Sequence, residues 1–108
     1  MHYLARKGWV IVAHRFRMGR LEIDVVARKG SLVAFVEVKT RLTRRFGSPL
    51  EAVTRYKRRE ISRVAQAWID RYGRAADTYR FDVIGLTRAL DGSYRIEHVE
   101  NAFWVERV

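Results

Sequence analysis

Three charged residues stand where two apolar segments of the chain can bring them together. Asp24 lies in the alternating segment 21–27, and Glu37 and Lys39 lie near the end of segment 32–40, which carries the most apolar run of the sequence. A strand covered on both faces would bury these groups, and burying an unpaired carboxylate is costly. The three side chains therefore require compensation by a cation, by a proton or by one another.

A hairpin between the two segments sets the distance between the carboxylates. If the intervening turn holds an even number of residues, Asp24 and Glu37 lie on the same face of the sheet, because side chains alternate with a period of two. We expect residues 27 and 32 to pair, which puts Asp24 opposite Phe35 and makes Glu37 its diagonal neighbour. Two carboxylates this close repel each other unless a cation or a proton lies between them.

A divalent metal is the simplest such cation. Mg²⁺ and Mn²⁺ prefer carboxylate, carbonyl and water oxygens, so the candidate metal ligands are Asp24, Glu37 and the carbonyl of Val38, and the predicted cofactor is Mg²⁺ or Mn²⁺. A metal there would activate a water molecule and stabilise charge on a phosphoryl oxygen. Lys39 would orient that water, help to deprotonate it, or neutralise the transition state. Glu22 shares the face of Asp24 and is a candidate accessory residue, more typical of a rim charge than of a ligand.

The competing interpretation of Glu37 and Lys39 is a surface ion pair on an edge strand, because E-x-K alone is a weak motif. The upstream aspartate at hairpin spacing, the apolar strand and the basic loop that follows favour a catalytic site. The predicted catalytic residues are therefore Asp24, Glu37 and Lys39.

The net charge favours a polyanionic partner. The chain has 22 Lys and Arg residues against 12 Asp and Glu residues, which gives +10 at pH 7. Such a surface attracts phosphate, and the planar guanidinium group fits phosphate oxygens. A solubilising charge excess and an acidic protein partner are the alternatives. The candidate nucleic-acid-binding residues are Arg41, Arg44, Arg45, Ser48, Arg55, Lys57, Arg58 and Arg59.

Composition excludes several classes of protein. With 108 residues, 48% of them hydrophobic, and one proline, the chain fits one globular domain, residues 1–108, and not a collagenous or disordered chain. The longest apolar runs, 9–13 and 32–36, are too short to span a membrane. Because the chain has no cysteine, it has no thiolate metal site and no disulfide. No secretory leader opens the sequence, so the expected location is cytoplasmic.

Hydrophobic periodicity predicts the elements that hold these residues. Apolar alternation and turn signals indicate the order α-β-β-β-α-β-β. A helix between the third and fourth strands favours their parallel pairing through a right-handed crossover. The predicted fold is therefore α/β, a mixed central sheet flanked by helices. Helices are predicted over 2–7, from a start signature at Ser48, and over 54–72; strands are predicted over 9–16, 21–27, 32–40, 80–87 and 94–99.

Several conspicuous residues are interpreted as structural. The apolar stripe of the long helix, which includes Trp68, has the spacing of a core-facing surface. Asp82 interrupts an apolar strand, and we expect it to make a structural hydrogen bond rather than take part in catalysis. His2, His14 and His98 lack the spacing of metal ligands.

An aspartate on one strand followed by E-x-K on the next resembles the PD-(D/E)XK nuclease superfamily, whose members cut DNA or RNA with Mg²⁺ on an αβββαβ core. The chain is further similar to the bacterial YraN-type family, which is endonuclease-like and similar to archaeal Holliday-junction resolvases. The matching motifs, in chain order, are Gly8-Trp9, Gly19-Arg20-Leu21-Glu22-Ile23-Asp24, Phe35-Val36-Glu37-Val38-Lys39-Thr40-Arg41, Arg45-Phe46-Gly47-Ser48-Pro49, Lys57-Arg58, Arg80-Phe81-Asp82-Val83 and Asn101-Ala102-Phe103.

The resemblance implies a restriction-endonuclease-like core and a metal-dependent endonuclease that hydrolyses phosphodiester bonds in DNA rather than RNA, with branched or structured DNA as a candidate substrate. By position, Asp24 and Glu37 match the metal-binding carboxylates and Lys39 matches the catalytic lysine. The family's longer first helix, which carries a glutamate, is not matched ahead of Tyr3-Leu4. That departure favours the alternative function, a non-catalytic nucleic-acid-binding module with the nuclease fold. A homodimer is a candidate assembly, because symmetric cutting of two strands needs two subunits.

Overall fold

The backbone follows the predicted order of elements. The structure is a computed structural model that describes residues 2–41 and 55–106. Within these ranges the elements are α1 (His2–Arg6), β1 (Val10–Met18), β2 (Leu21–Lys29), β3 (Leu32–Arg41), α2 (Arg55–Tyr72), β4 (Thr78–Arg88) and β5 (Tyr94–Trp104). The helix predicted to begin at Ser48 lies outside the described residues.

The strands form one mixed sheet in the order β1-β2-β3-β4-β5. β3 and β4 are parallel, and the other neighbouring pairs are antiparallel. α2 lies in the connection between the two parallel strands, as the crossover rule predicts. The predicted α/β fold with a mixed sheet flanked by helices is therefore confirmed. Neither helix of residues 2–41 and 55–106 is long and apolar enough to cross a membrane.

Alternate residues of the central strands enter two separate core clusters. On one face of the sheet, Phe35 packs against α2, where the buried Trp68 meets it edge to face at 5.7 Å between ring centroids. On the other face, Val36 packs in a cluster with Leu4 of α1. Glu37 lies two residues after Phe35 and therefore projects toward the face of α2.

The turn between β2 and β3 is tighter than predicted. It holds two residues and begins at Gly30, whose φ of 60° suits a hairpin turn that matches the twist of its strands. As a result Ala27 pairs with Ala34, and the predicted pairing of residues 27 and 32 is wrong. The number of turn residues is nevertheless even, as a shared face for the two carboxylates requires.

The pairing of β4 with β5 becomes irregular at Asp82, whose side chain is 1% exposed. Its carboxylate accepts a hydrogen bond from the backbone N–H of Asn101 at 2.9 Å. It also lies 2.9 Å from Nε of Arg80 and 2.7 Å from Nε2 of His98. The structural hydrogen bond predicted for Asp82 is confirmed.

β5 is longer than the sequence predicts. It continues to Trp104 rather than ending near residue 99. Asn101 has a φ of 51° and opposes the register shift in β4, so the alternation of the strand changes phase there. The apolar pattern resumes with Phe103, which stacks on Phe81 with ring centroids 5.1 Å apart.

Asp77, just before β4, is a second buried carboxylate. Arg28 of β2 donates hydrogen bonds to both of its oxygens, at 2.7 and 2.9 Å, and the backbone N–H of Arg74 donates another at 2.8 Å. These donors, the guanidinium first among them, lower the pKa of Asp77 to about 2. The interaction ties the end of β2 to the segment that connects α2 with β4.

Candidate active site

β2 and β3 separate at the predicted carboxylates. Their pairing ends at Val25 and Val36, and beyond this point β2 continues beside β1 while β3 continues beside β4. The same register brings Asp24 level with Glu37, and not with Phe35 as predicted. Because the difference is two residues, both carboxylates keep the predicted face of the sheet.

This fork between the strands explains the position of Asp24. The backbone N–H of Val38 donates a hydrogen bond to Oδ2 of Asp24 at 2.7 Å. A side chain thus replaces the carbonyl that a continuous β2 ladder would offer to this N–H. In an extended strand the N–H and C=O of one residue point to the same side, so the carbonyl of Val38 is directed toward the Asp24 side of β3.

β1 is distorted directly across from Asp24. Its register with β2 puts Arg15 at this level, and Arg15 has a φ of 50°. The alternation of half-buried and exposed side chains breaks here, since both His14 and Arg15 are exposed. A left-handed conformation at a residue other than glycine costs about 1–3 kcal/mol and recurs at functional sites. Here the left-handed residue lies opposite Asp24, where the regular pairing of β2 with β3 has ended.

Glu37 is bound by lysines from two different elements. Its Oε1 lies 3.2 Å from Nζ of Lys39 on β3 and 3.4 Å from Nζ of Lys57 on α2. The Glu37 side chain is 17% exposed, whereas the two lysine side chains are 37% and 38% exposed. A mostly buried carboxylate is therefore neutralised by two ammonium groups that keep contact with solvent.

The carboxylates border a cavity of about 270 Å³ between the sheet and the first half of α2. At roughly 30 Å³ per water molecule, this volume accommodates a phosphate group together with water. Its apolar lining residues are Leu21, Ile23, Val36, Ile61 and Phe81. Its charged lining residues are Arg20, Glu22, Asp24, Glu37, Lys57 and Glu60.

The oxygen donors at the fork suit a magnesium-type ion. Asp24 and Glu37 offer carboxylates from neighbouring strands, and Val38 offers a carbonyl on the same side. In phosphoryl-transfer sites Mg²⁺ takes one or two carboxylates and completes its shell with water and substrate phosphate. Among the residues that the structure describes, no group of three or more His, Asp or Glu residues could hold a metal. The residues present therefore fit an ion whose coordination shell is completed by water and substrate, and they do not fit a closed structural metal site.

The predicted nucleic-acid-binding residues separate into three groups. Lys57 faces the cavity and Glu37 instead of the outer surface of α2. Arg58 and Arg59 are exposed, and the guanidinium of Arg58 lies over the ring of Phe103 at 4.6 Å. Outside the described residues lie Arg44, Arg45 and Ser48, together with the side chains of Arg41 and Arg55.

Glu22, the candidate accessory residue, lies at the rim of the cavity. It borders the cavity, and its Oε2 accepts a hydrogen bond from Nε of Arg17 at 2.7 Å. Its carboxylate is therefore already paired.

Sequence reasoning missed two charged lining residues. Glu60 lies three residues after Lys57, so the helical spacing places both side chains on one side of α2. That spacing was the signal available for Glu60. Arg20 lies in the turn between β1 and β2, and its place in the motif Gly19-Arg20-Leu21-Glu22-Ile23-Asp24 was the signal available for it.

Sequence comparison assigns the chain to a family. The profile of the "Uncharacterised protein family UPF0102" matches residues 1–86. A UPF0102 protein of Chlorobium chlorochromatii is 46% identical over 110 residues, which cover 97% of this chain and 84% of the relative. UPF0102 proteins of Geobacter sulfurreducens and Symbiobacterium thermophilum are 46% and 41% identical over 101 residues, which cover 94% of this chain and 79% and 86% of the relatives. The chain therefore belongs to the UPF0102 family.

Proposed function

We propose that the protein is a metal-dependent endonuclease that hydrolyses phosphodiester bonds in DNA. The observation that carries the proposal is the fork between β2 and β3, where Asp24 and Glu37 come level and Lys39 pairs with Glu37. Two carboxylates and an ammonium group beside a cavity of phosphate size are suited to phosphoryl transfer. The resemblance to the PD-(D/E)XK superfamily supports the same chemistry.

In this mechanism Asp24, Glu37 and the carbonyl of Val38 would hold a Mg²⁺ or Mn²⁺ ion. When bound, the ion supplies Lewis acidity to a water molecule and to a phosphoryl oxygen. Lys39 orients the attacking water and stabilises the negative charge that develops on the phosphoryl oxygens. As the water oxygen bonds to phosphorus, the water gives up one proton to solvent. The bond from phosphorus to the leaving sugar oxygen breaks, and that oxygen takes up a proton from solvent.

Lys57 has a separate role in the proposal. It lines the cavity, and it reaches Glu37 from α2 rather than from the strand that carries Glu37. In the free protein its ammonium group neutralises Glu37. When substrate enters, the same group supplies positive charge to the phosphate, because a lysine side chain is a flexible point charge that can change partners.

The net charge of +10 supports a polyanionic substrate. The resemblance to Holliday-junction resolvases favours DNA over RNA and makes branched or structured DNA the candidate target. A homodimer would allow symmetric cutting of two strands, and a cytoplasmic location belongs to the same proposal.

The second candidate function is a nucleic-acid-binding module that keeps this fold without cutting. The observation that favours it is the double pairing of Glu37 with Lys39 and Lys57. With two ammonium groups nearby, the site reaches local charge balance without a metal.

The deciding experiment measures cleavage of labelled single-stranded, duplex, flap and four-way-junction DNA and of RNA, in Mn²⁺ and in EDTA. We expect cleavage only with metal, and we expect Lys39→Ala to abolish it. Lys29→Ala, which removes an exposed lysine from the opposite end of the hairpin, should retain it. If the unaltered chain binds these substrates but cuts none, the hydrolase is rejected in favour of the binding module.

A further inference from the structure

A second concave surface adjoins the cavity at the fork. This groove, of about 920 Å³, lies between the turn that joins β1 to β2 and the outer surface of α2. Arg20, Leu21 and Glu60 line both the cavity and the groove, so the two spaces are neighbours on the same side of the sheet. The remaining lining residues of the groove are Met18, Gly19, Arg59 and Arg63.

The arginines of the groove differ from arginines elsewhere in the fold. Arg20, Arg59 and Arg63 line its surface, and none of them forms an ion pair with a carboxylate within residues 2–41 and 55–106. Elsewhere in the described part of the chain, carboxylates pair with the guanidinium groups of Arg17, Arg28 and Arg80. The guanidinium groups of the groove are therefore available to an external anion.

The arrangement of these arginines suits a linear chain of anions. Arg59 and Arg63 are four residues apart on α2, which is about 6 Å along the helix axis and comparable with the spacing of neighbouring phosphates on one strand. Arg20 contributes to the same groove from the β1–β2 turn. Guanidinium groups contributed by both walls can bind the oxygens of a phosphodiester that lies between them. The one acidic lining residue of the groove is Glu60.

We infer that the sugar–phosphate backbone of one nucleic-acid strand lies in this groove, bound by Arg20, Arg59 and Arg63, and continues from there into the cavity beside Glu37. The inference rests on the proposed function, from which it takes nucleic acid as the class of ligand. It adds Arg20 and Arg63 to the binding surface and makes the β1–β2 turn one wall of it.

An acidic polypeptide is the less favoured occupant of the groove. The groove adjoins a cavity that four carboxylates line, namely those of Glu22, Asp24, Glu37 and Glu60. These carboxylates repel a peptide carboxylate and a phosphate alike, so they do not separate the two occupants. What favours the phosphodiester is that it brings the bond on which the proposed site acts.

The test measures DNA binding in EDTA, where no cleavage occurs, by fluorescence anisotropy over a series of KCl concentrations. Arg20→Ala and Arg63→Ala are compared with Arg71→Ala, which removes an exposed arginine from the last turn of the same helix, outside the groove. All three variants lose the same charge. We expect each groove variant to weaken binding roughly five-fold at low salt and to reduce the salt slope by about one. Arg71→Ala should stay within about two-fold of the unaltered chain.

Thermal melts check that all three variants are folded, and poly-L-glutamate competes with the DNA as a non-phosphate polyanion. Equal losses in Arg63→Ala and Arg71→Ala would overturn the inference, because net charge alone would then account for binding. Unchanged binding in Arg20→Ala, or equal competition by poly-L-glutamate, would overturn it as well.

Different results would reject the inference about the groove and the proposal of a hydrolase. If the groove variants behave as expected in EDTA but no substrate is cut in Mn²⁺, the groove stands and the hydrolase is rejected. If cleavage keeps its KM in the Arg20→Ala and Arg63→Ala variants, the hydrolase stands and the groove is rejected.

Discussion

The fold contains two pairs of carboxylates with opposite surroundings. One pair is Asp77 and Asp82, and the other is Asp24 and Glu37. Asp77 and Asp82 are buried, and guanidinium groups, a histidine and backbone N–H groups bind their oxygens. Asp24 and Glu37 are only partly buried and border a cavity. The buried pair joins elements of the fold, whereas the pair at the fork faces a space that a ligand can enter.

The cations bound to each pair explain why this difference matters. A guanidinium group makes a rigid, bidentate bridge, as Arg28 does to Asp77. An ammonium group is a flexible point charge, and Lys39 and Lys57 keep contact with solvent beside Glu37. Separating a buried ion pair leaves an unpaired charge in the interior. Replacing a solvated lysine by another cation leaves no such unpaired charge. Glu37 can therefore exchange its lysine partners for a metal ion, whereas Asp82 keeps its partners.

Glu37→Gln tests the carboxylate at the fork and carries the largest expected effect. The variant keeps the shape of the side chain but removes the charge that holds the metal, so cleavage should fall by at least about 10³-fold. DNA affinity in EDTA should be unchanged or improved, because a negative charge near the phosphate is lost. Gel assays of cleavage and anisotropy of binding measure the two quantities.

The matched control for this variant is Glu100→Gln, which alters an exposed carboxylate on β5. It should leave cleavage unchanged. Full activity in Glu37→Gln would remove Glu37 from the mechanism and erase the contrast between the two pairs of carboxylates.

Asp82→Ala tests the buried pair. Its removal leaves Arg80 and His98 without their carboxylate in a site that is 1% exposed. We expect a loss of about 3 kcal/mol in the free energy of unfolding, measured by urea denaturation. Asp70→Ala, an exposed residue on α2, should lose no more than about 0.5 kcal/mol. Similar losses in the two variants would show that burial does not separate these classes of carboxylate.

The acid stability of the fold tests the bridge at Asp77. The Arg28 guanidinium lowers the pKa of Asp77 from its ordinary value of 3.8 to about 2 in the folded protein, so the contribution of Asp77 to stability is present above the ordinary value. That contribution, about 2 kcal/mol, is lost as the pH falls from about 4 toward 2. Asp77→Asn should lower stability at about pH 5 and flatten the pH dependence below it. Urea midpoints at several pH values measure this, and an unchanged slope would contradict the role of Asp77.

Charge reversal at Arg58 and Arg59 has the smallest expected effect per residue. Both side chains are exposed on α2, so their contacts with phosphate are made in water. The double variant to Glu should weaken DNA binding for every sequence tested, by roughly 1 kcal/mol per residue, and should flatten the salt slope. Binding that is unchanged at all salt concentrations would move the DNA-binding surface away from α2.

Much of the fold follows from local patterns. The period-two alternation of 21–27 and 32–40 predicts β2 and β3, and the 3.6-residue period of the stripe with Trp68 predicts α2. Two errors have different origins. The extra length of β5 depends on its irregular pairing with β4 opposite Asp82. The register of the hairpin depends on the length of a local turn, which alternation alone does not fix.

The site divides in the same way. Asp24, Glu37 and Lys39 are predictable because parity puts them on one face of two consecutive strands. Grouping by charge puts Lys57 with the other basic residues of α2, although it lies four residues before Ile61 and therefore on the core-facing side of the helix. The structure brings it to Glu37, a contact that depends on how α2 packs on the sheet.

The sequence by itself therefore determined the order of elements, the shared face of Asp24 and Glu37, and the positive charge of +10. The order of elements follows from periodicity and the net charge is a sum, so neither depends on how the strands pair. The shared face requires only an even number of residues in the hairpin turn. Only the tertiary structure decided where β2 and β3 part, which lysines neutralise Glu37, and that Arg20 joins α2 in lining one groove. Such contacts depend on which polar groups are desolvated together. That set is fixed by the packing of residues that are far apart in the chain.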